Sequence, residues 1–263
     1  MSDLAPPRSR WPYLLFGLAL LLGFWLRFSG LEWDGDEHLH PDERFLTMVT
    51  SSLAAPADLL GYLDTDTSML NPRNAGHAFY VYGTWPITLA YAVASAAEAT
   101  DYYRVHLVGR NLNMLYDWLG LLLIFLIGRR LVDARVGALA VLLAAGTAFS
   151  IQQAHFFTVD VPANFFFLCF LYAFLRSLEG RFSEAEAGQP ASGADDAKRR
   201  LLWTALAGVG MGMALASKIA LWPVAPLAVL VLGLLAWRTV GWPLDRARAL
   251  LPTLVLGLVS FLT

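Results

Sequence analysis

Apolar residues in this chain fall in long blocks separated by short polar stretches. A bilayer core of about 30 Å is crossed by about 20 apolar helical residues, slightly fewer where flanking side chains snorkel. The blocks predict spans at Trp11–Ser29, Leu112–Gly128, Val136–His155, Asn164–Leu178, Leu201–Ser217, Leu221–Trp237 and Ala249–Thr263, and Ala78–Ala97 is also uncharged and long enough to qualify. Arg27 and then Leu31-Glu32-Trp33 follow the first block with no small-residue cleavage site, so it reads as an anchor rather than a removed signal segment. A different period runs from Asp42 to Ala54, where Phe45, Leu46, Val49 and Leu53 make one apolar stripe. That stripe predicts an amphipathic helix lying in the membrane interface.

Composition agrees with an all-α polytopic membrane protein and excludes soluble domains. Hydrophobic residues make up 57% and charged residues 15%, where a soluble domain carries about 25% charged; mean hydropathy is +0.53. A net charge of -2 offers no basic face to nucleic acid. Cys169 is the only cysteine, which removes intrachain disulfides and thiolate metal clusters. No fixed-period repeat or Gly-rich phosphate loop is present, and the one low-complexity stretch is Glu184–Ala197.

Basic residues orient the spans. If Ala78–Ala97 does not cross, the N-terminus and loops 129–135, 176–200 and 238–248 share one side and hold 13 of the 19 Lys and Arg residues. If it does cross, 5 stay with the N-terminus and 14 lie opposite, inverting the positive-inside rule. Ala78–Ala97 is therefore expected on the outer face, in or dipping into the interface, where Phe79, Tyr80, Tyr82, Trp85, Tyr91 and Pro86 suit it. The N-terminus and the loop 179–200 are expected in the cytoplasm of a cell whose cytoplasmic (inner) membrane holds the chain. Gly30–Arg110 becomes a large external loop with 11 Asp/Glu against 4 Arg. Chemistry is expected there, because a bundle that only held helices together would not need such an excursion.

Two constellations carry candidate chemistry. In Asp34-Gly-Asp36-Glu37-His38-Leu-His40-Pro41-Asp42-Glu43-Arg44, Pro41 suits a first helical position and the acids complement a helix dipole. The same residues also read as a reactive set, with Asp42 as general base and Glu43 and Arg44 beside it. His38, His40 and Asp42 are candidate ligands for a divalent metal, short of a ligand from another segment. In Gln152-Gln153-Ala-His155-Phe-Phe-Thr158-Val-Asp160-Val-Pro162-Ala-Asn164, Asp160 falls at the outer boundary between two spans. It reads both as the cap of a helix starting near Asn164 and as a functional acid. Lys218, at the outer end of the Leu201–Ser217 span, either snorkels or neutralises a phosphate. Asp117 inside the second span is polar glue or the counter-ion of a neighbouring Arg, and Phe165-Phe166-Phe167 reads as lipid-facing or packing.

In order and sidedness these pieces resemble a membrane glycosyltransferase of the GT-C fold, family 39, which includes protein O-mannosyltransferases and bacterial aminoarabinose transferases. Asp42-Glu43 resembles the family's Asp-Glu motif. Arg110, the span ending Ile127-Gly128-Arg129-Arg130-Leu131 and Asp133-Ala-Arg135-Val-Gly137 resemble its second and third helices. His155-Phe-Phe-Thr158-Val-Asp160 resembles its second acidic site, and Ala216-Ser217-Lys218 its later lysine. His77-Ala-Phe79-Tyr80-Val-Tyr82-Gly83 stands where the family has a juxtamembrane helix, though the prolines that usually introduce it are absent. The wording His40-Pro-Asp-Glu-Arg-Phe45 looks most like bacterial members of the family.

The resemblance implies a GT-C module over 1–263, an external loop over 30–110 with interfacial helices, and a sugar delivered from a polyprenyl phosphate. A hydroxyl of a protein, lipid or glycan acceptor attacks the anomeric carbon with inversion, the sugar being mannose-like. Asp42, Glu43 and Asp160 are the implied catalytic residues, and Arg44, His77, Tyr80, Tyr82, Arg110, His155 and Lys218 the implied substrate contacts. No cofactor is required beyond a possible divalent metal. A transporter or flippase of a lipid-linked or anionic substrate is the competing class, but its ionisable residues would sit near mid-membrane, and here only Asp117 does. A non-catalytic assembly subunit is the third. Family members run about twice this length, and Ala249–Thr263 gives only about 22 Å of helix, so an N-terminal fragment is expected.

Overall fold

The computed structural model describes residues 10–178, 194–224 and 226. The expected spans Leu221–Trp237, beyond its first residues, and Ala249–Thr263 lie outside the described residues, as does 179–193 of the expected cytoplasmic loop. The elements are α1 (Trp11–Phe28), α2 (Pro41–Ser51), α3 (Leu59–Leu63), α4 (Trp85–Ala96), α5 (Tyr102–Leu131), α6 (Ala134–Ala145), α7 (Ala148–Ala154), α8 (Asp160–Ser177), α9 (Ala194–Ser217) and a 3-10 turn at Ile219–Leu221. The chain is an all-α, multi-pass membrane protein.

α1 shows how the apolar blocks become spans. Leu14, Leu18, Leu21 and Trp25 repeat at helical spacing and are exposed, forming a lipid-facing stripe, while Ala19, Gly23 and Arg27 face the bundle. α5 is 30 residues long, about 45 Å, so it reaches beyond the hydrocarbon. Asp101 caps its start by accepting from the Tyr103 N–H at 3.1 Å, and Arg129 and Arg130 close its last turn. α5 and α6 touch backbone to backbone, since a Cβ built on Gly128 would stand 2.9 Å from the Gly137 Cα.

The structure divides the expected span Val136–His155 into two helices, α6 and α7, bent by 63° at the break between them. At the break Ala144 O still accepts from the Thr147 N–H at 3.2 Å, and Arg27 reaches both it and Ala145 O from outside the segment. Arg27 donates from Nη1 to Ala145 O at 3.0 Å and from Nη2 to Ala144 O at 3.3 Å, and its Nε donates to Asp117 Oδ2 at 2.5 Å. Asp117 is thus the counter-ion of Arg27, and the pair ties α1, α5 and α6 together where lipid could satisfy none of these groups. α8 has the length of a span but carries Asp160, Asn164 and Arg176, and falls short of the hydropathy of the lipid-crossing helices. It packs instead along α5 and α9, with Phe170, Ala173, Ala207 and Met211 as a shared core.

α4 is 12 residues, about 18 Å, too short to cross. The segment from α1 to α5 returns to the end of the bundle it left: Arg110 on α5 donates to Leu31 O at 2.8 Å, just past the end of α1. The stripe on α2 is real, but a protein surface covers it. Leu46, Val49 and Leu53 are buried against Ile87, Ala90, Phe157 and Val159. The helix is docked on α4 and the α7–α8 connection rather than laid apolar side down on lipid.

Candidate active site

The same end of the bundle, where α1 and α9 finish and α5 and α8 begin, gathers most of the candidate residues. His40 precedes Pro41 with extended backbone and makes no side-chain cap of α2. Asp42 does not cap it either: among the described residues its carboxylate accepts from no helix N–H, and its charge acts on the Tyr82 phenol. Burial, then the charge and hydrogen bond of Asp42, then the charge of Asp160 all raise the Tyr82 pKa, keeping the phenol protonated. Tyr82 therefore stands beside both acids. Asp160 is itself the first residue of α8, so it complements that helix's dipole rather than capping a later start. Its carboxylate pairs with the Lys218 ammonium just after α9, both side chains part-exposed.

Gly83 makes this assembly compact. Its N–H donates to Ser217 O at 3.2 Å, and a Cβ there would stand 1.9 Å from Ala216 O. Only glycine lets the Tyr82 strand of chain lie directly on the end of α9, one residue before Lys218.

Glu43 turns the other way. Its side chain is fully buried and accepts from Arg110 Nε at 3.0 Å, Arg110 Nη2 at 2.5 Å and the Phe157 N–H at 2.7 Å. Arg110 also donates to Asp34 Oδ2 at 2.7 Å and lies 5.7 Å from the Trp33 ring centroid. Burial raises the Asp34 pKa, but the Arg110 hydrogen bond and charge outweigh it, and the net shift is downward. Asn113 donates to Phe156 O at 2.7 Å and Thr158 O at 2.9 Å, fixing the α7–α8 connection over the same network.

The other expected residues separate. His77 meets Ser52 Oγ at 2.9 Å through Nε2, and the Tyr80 hydroxyl donates to Gly83 O at 2.8 Å. His77, Tyr80 and Tyr82 border one cavity of about 430 Å³. Arg44 is exposed and its Nη2 reaches Glu37 O at 3.4 Å. His155 has Nδ1 at 2.7 Å from Ile151 O and Nε2 at 2.8 Å from Ser29 O, bridging α7 to the end of α1.

The metal set proposed from spacing does not converge. His38 is buried against Tyr102 and His106, with ring centroids 4.6 and 4.2 Å away, His40 packs on Phe156 at 4.5 Å, and Asp42 faces Tyr82. Positive φ at Asp36 (66°) and His38 (48°) turns this loop so that residues two apart point apart. Among the described residues no three His, Cys, Asp or Glu side chains are grouped to hold a metal ion.

Comparison with known proteins decides the fold. The chain aligns with the crystal structure of the Archaeoglobus fulgidus oligosaccharyltransferase in the apo form at a TM-score of 0.67 and 15% identity, covering 97% of this chain and 29% of that one. The fold is GT-C. Residues 83–186 match the family described as dolichyl-phosphate-mannose-protein mannosyltransferase, in agreement with the resemblance to family 39 drawn from the sequence. No curated protein matches the chain. Within this GT-C module Asp160 and Arg110 fall inside the matched segment, whereas Asp42, Glu43, Tyr82 and Lys218 flank it. The chain spans about three-tenths of the archaeal enzyme.

Sequence reasoning missed Arg27 and His106, and it gave Asp34 no role of its own within the first acidic constellation. Arg27 sits at the end of an apolar block, where a basic residue ordinarily snorkels, so no local signal marks it as a bundle-facing ion. Asp34 and His106 are joined to the site only by folding.

Proposed function

We propose that the chain is the membrane module of a glycosyltransferase that moves a sugar from a polyprenyl-phosphate donor to an acceptor hydroxyl at the outer face. The N-terminus is cytoplasmic, the loop 30–110 is external, and the membrane is the cytoplasmic one. The observation that carries the reading is the pairing of Lys218 with Asp160 at the loop end of a GT-C bundle, with Tyr82 beside them in the field of both Asp42 and Asp160.

In the reaction the acceptor oxygen attacks the anomeric carbon as its proton passes to the Asp42 carboxylate. The bond from that carbon to the phosphate oxygen breaks, and the prenyl phosphate leaves with the electron pair, inverting the anomeric centre. A phosphate leaving group needs charge neutralisation rather than a proton, which Lys218 supplies. Asp160 holds the ammonium in place until the phosphate arrives. Tyr82 orients Asp42. Arg110 and Glu43 are positioning residues, locking α2 to α5 so that Asp42 faces the site. No step is routed through a metal, since the proposed ligands diverge.

Membranes containing the full-length protein, incubated with a radiolabelled polyprenyl-phosphate hexose, should transfer label to an acceptor fraction, and membranes with Asp42→Asn should not. Transfer that is equal in the two overturns the assignment of the base. No transfer from any polyprenyl-phosphate hexose overturns the donor class.

A further inference from the structure

The segment between α3 and α4 holds its shape without a strand or a long helix. The Asp64 carboxylate accepts from Thr67 Oγ1 at 2.7 Å and from the Asp66 N–H at 3.1 Å. The Asn71 amide donates to Thr65 O at 2.9 Å, and the Asn74 amide to Thr65 O at 3.0 Å and Ser68 O at 2.9 Å. The Asn71 side-chain Oδ1 accepts from the Arg73 N–H at 3.1 Å, and the His77 N–H returns to Pro72 O at 2.8 Å. These bonds consume the amide donors internally and leave a preformed concavity of about 430 Å³, inside the range of about 300–1,000 Å³ typical of small-ligand pockets.

What faces this cavity is specific in kind. The Asp66 carboxylate and the Arg73 guanidinium border it, and neither has a hydrogen bond or ion pair within the described residues. Thr65 and Thr84 add hydroxyls. Tyr80 and Tyr82 form one wall, their rings 5.8 Å apart and at 77°. One acid and one base cancel, so the lining selects neither an anion nor a cation. It matches a neutral ligand that is rich in hydroxyls and has apolar C–H faces.

We propose that this cavity is the acceptor subsite and that the acceptor it seats is a carbohydrate. The inference rests on the transferase reading above and narrows it from hydroxyl acceptors in general to sugars. Vicinal hydroxyls bridge Asp66 and Arg73, a carboxylate taking the O–H donors and a guanidinium the oxygen lone pairs. The C–H face of a pyranose lies on Tyr80 or Tyr82. A polypeptide acceptor would call for a strand edge or a row of apolar side-chain pockets, and the described walls here are mainly polar loop.

Tyr82 links the subsite to the chemistry. It borders the cavity, which Asp42 does not, and its phenol lies in the field of Asp42, so a sugar seated there meets the base by way of Tyr82. Lys218 and Asp160 do not border the cavity; they join it through Tyr82 and Gly83.

The test is direct binding to the purified full-length protein in detergent, with no donor present. Methyl hexopyranosides and short hexose oligomers are titrated by ligand-observed NMR, beside a Ser/Thr-containing hexapeptide. The saccharides should bind, and Asp66→Asn and Arg73→Gln should each weaken them about tenfold, the size of one charge-assisted hydrogen bond. Both residues are exposed, so the variants should melt with wild type. Saccharide binding unchanged in both variants overturns the proposal, and so does binding of the hexapeptide alone or of no saccharide. Because the readout is binding, a protein that holds the saccharides but transfers nothing counts against the transferase reading and leaves the subsite standing.

Discussion

Asp42 and Glu43 are neighbours on one helix, about 100° apart around its axis, and they meet opposite environments. Glu43 is sealed in a network in which every oxygen has a donor: two from Arg110 and one from the Phe157 N–H. Asp42 is part-exposed and faces a tyrosine and, beyond it, a second acid whose partner is a lysine. The first arrangement is saturated and dry, so it can hold α2, α5 and the α7–α8 connection but has no valence left for a substrate. The second is under-satisfied and open, which is what a group that must accept a proton needs. Adjacent acids in a motif need not share a role, because the helix separates them before chemistry does.

The comparison breaks most severely at Glu43. Glu43→Gln keeps the shape but leaves Arg110 buried with Asp34 as its only full counter-charge. Removing one partner of a buried pair costs on the order of 3 kcal/mol or more. The expected outcome is a clearly lower thermal midpoint and a reduced folded yield in detergent, with activity falling in proportion to folded protein. A Glu43→Gln protein that melts like wild type but has lost transfer would move Glu43 into the reacting set.

Asp42→Asn should do the reverse. Among the described residues its carboxylate caps no helix N–H, so stability should stay within about 0.5 kcal/mol, as for surface changes. Loss of a general base costs on the order of 10²–10⁴ in rate, read as label transferred per unit of folded protein. A fully active Asp42→Asn protein would shift the base to Asp160.

Lys218→Met sharpens the other side of the open site. The Lys218–Asp160 pair is part-exposed, so its loss should cost under about 1 kcal/mol of stability. Removing one charge that meets the departing phosphate should cost about 10²-fold in rate. Unchanged transfer would return Lys218 to a snorkelling role.

How much of this was legible in the sequence follows the same division. Spans were legible because lipid imposes long apolar runs, and α1 and α5 lie where those runs are. The break between α6 and α7 was not, because it is sustained by Arg27, 117 residues away from Ala144. The stripe Leu46–Val49–Leu53 announced an amphipathic helix, but periodicity does not say whether lipid or protein covers it. Asp42, Asp160 and Lys218 could be named from the family resemblance, whereas the opposite orientation of Glu43 needed Arg110 in place. His38, His40 and Asp42 suggested a metal site because they lie close together in sequence, but the loop turns at Asp36 and His38, where φ is positive, and the two histidine rings pack on different neighbours.

The smallest expected effect concerns Asp34, the outer member of the sealed network, and it is read against pH. Its folded pKa lies below the ordinary 3.8 because Arg110 outweighs burial. A carboxyl with a depressed folded pKa stabilises the fold fully above its unfolded value. That contribution is lost as pH falls below about 3.8 through the folded pKa, when the proton displaces the Arg110 contact. The thermal midpoint of the wild type should therefore decline on acidification in that window. Asp34→Asn has no proton to take up, so it should start lower at neutral pH and show a shallower decline, the two curves approaching each other toward the acid end. Parallel curves for wild type and Asp34→Asn would mean that Arg110 is held by Glu43 and the Leu31 carbonyl without help from Asp34, and that the sealed network ends one residue sooner.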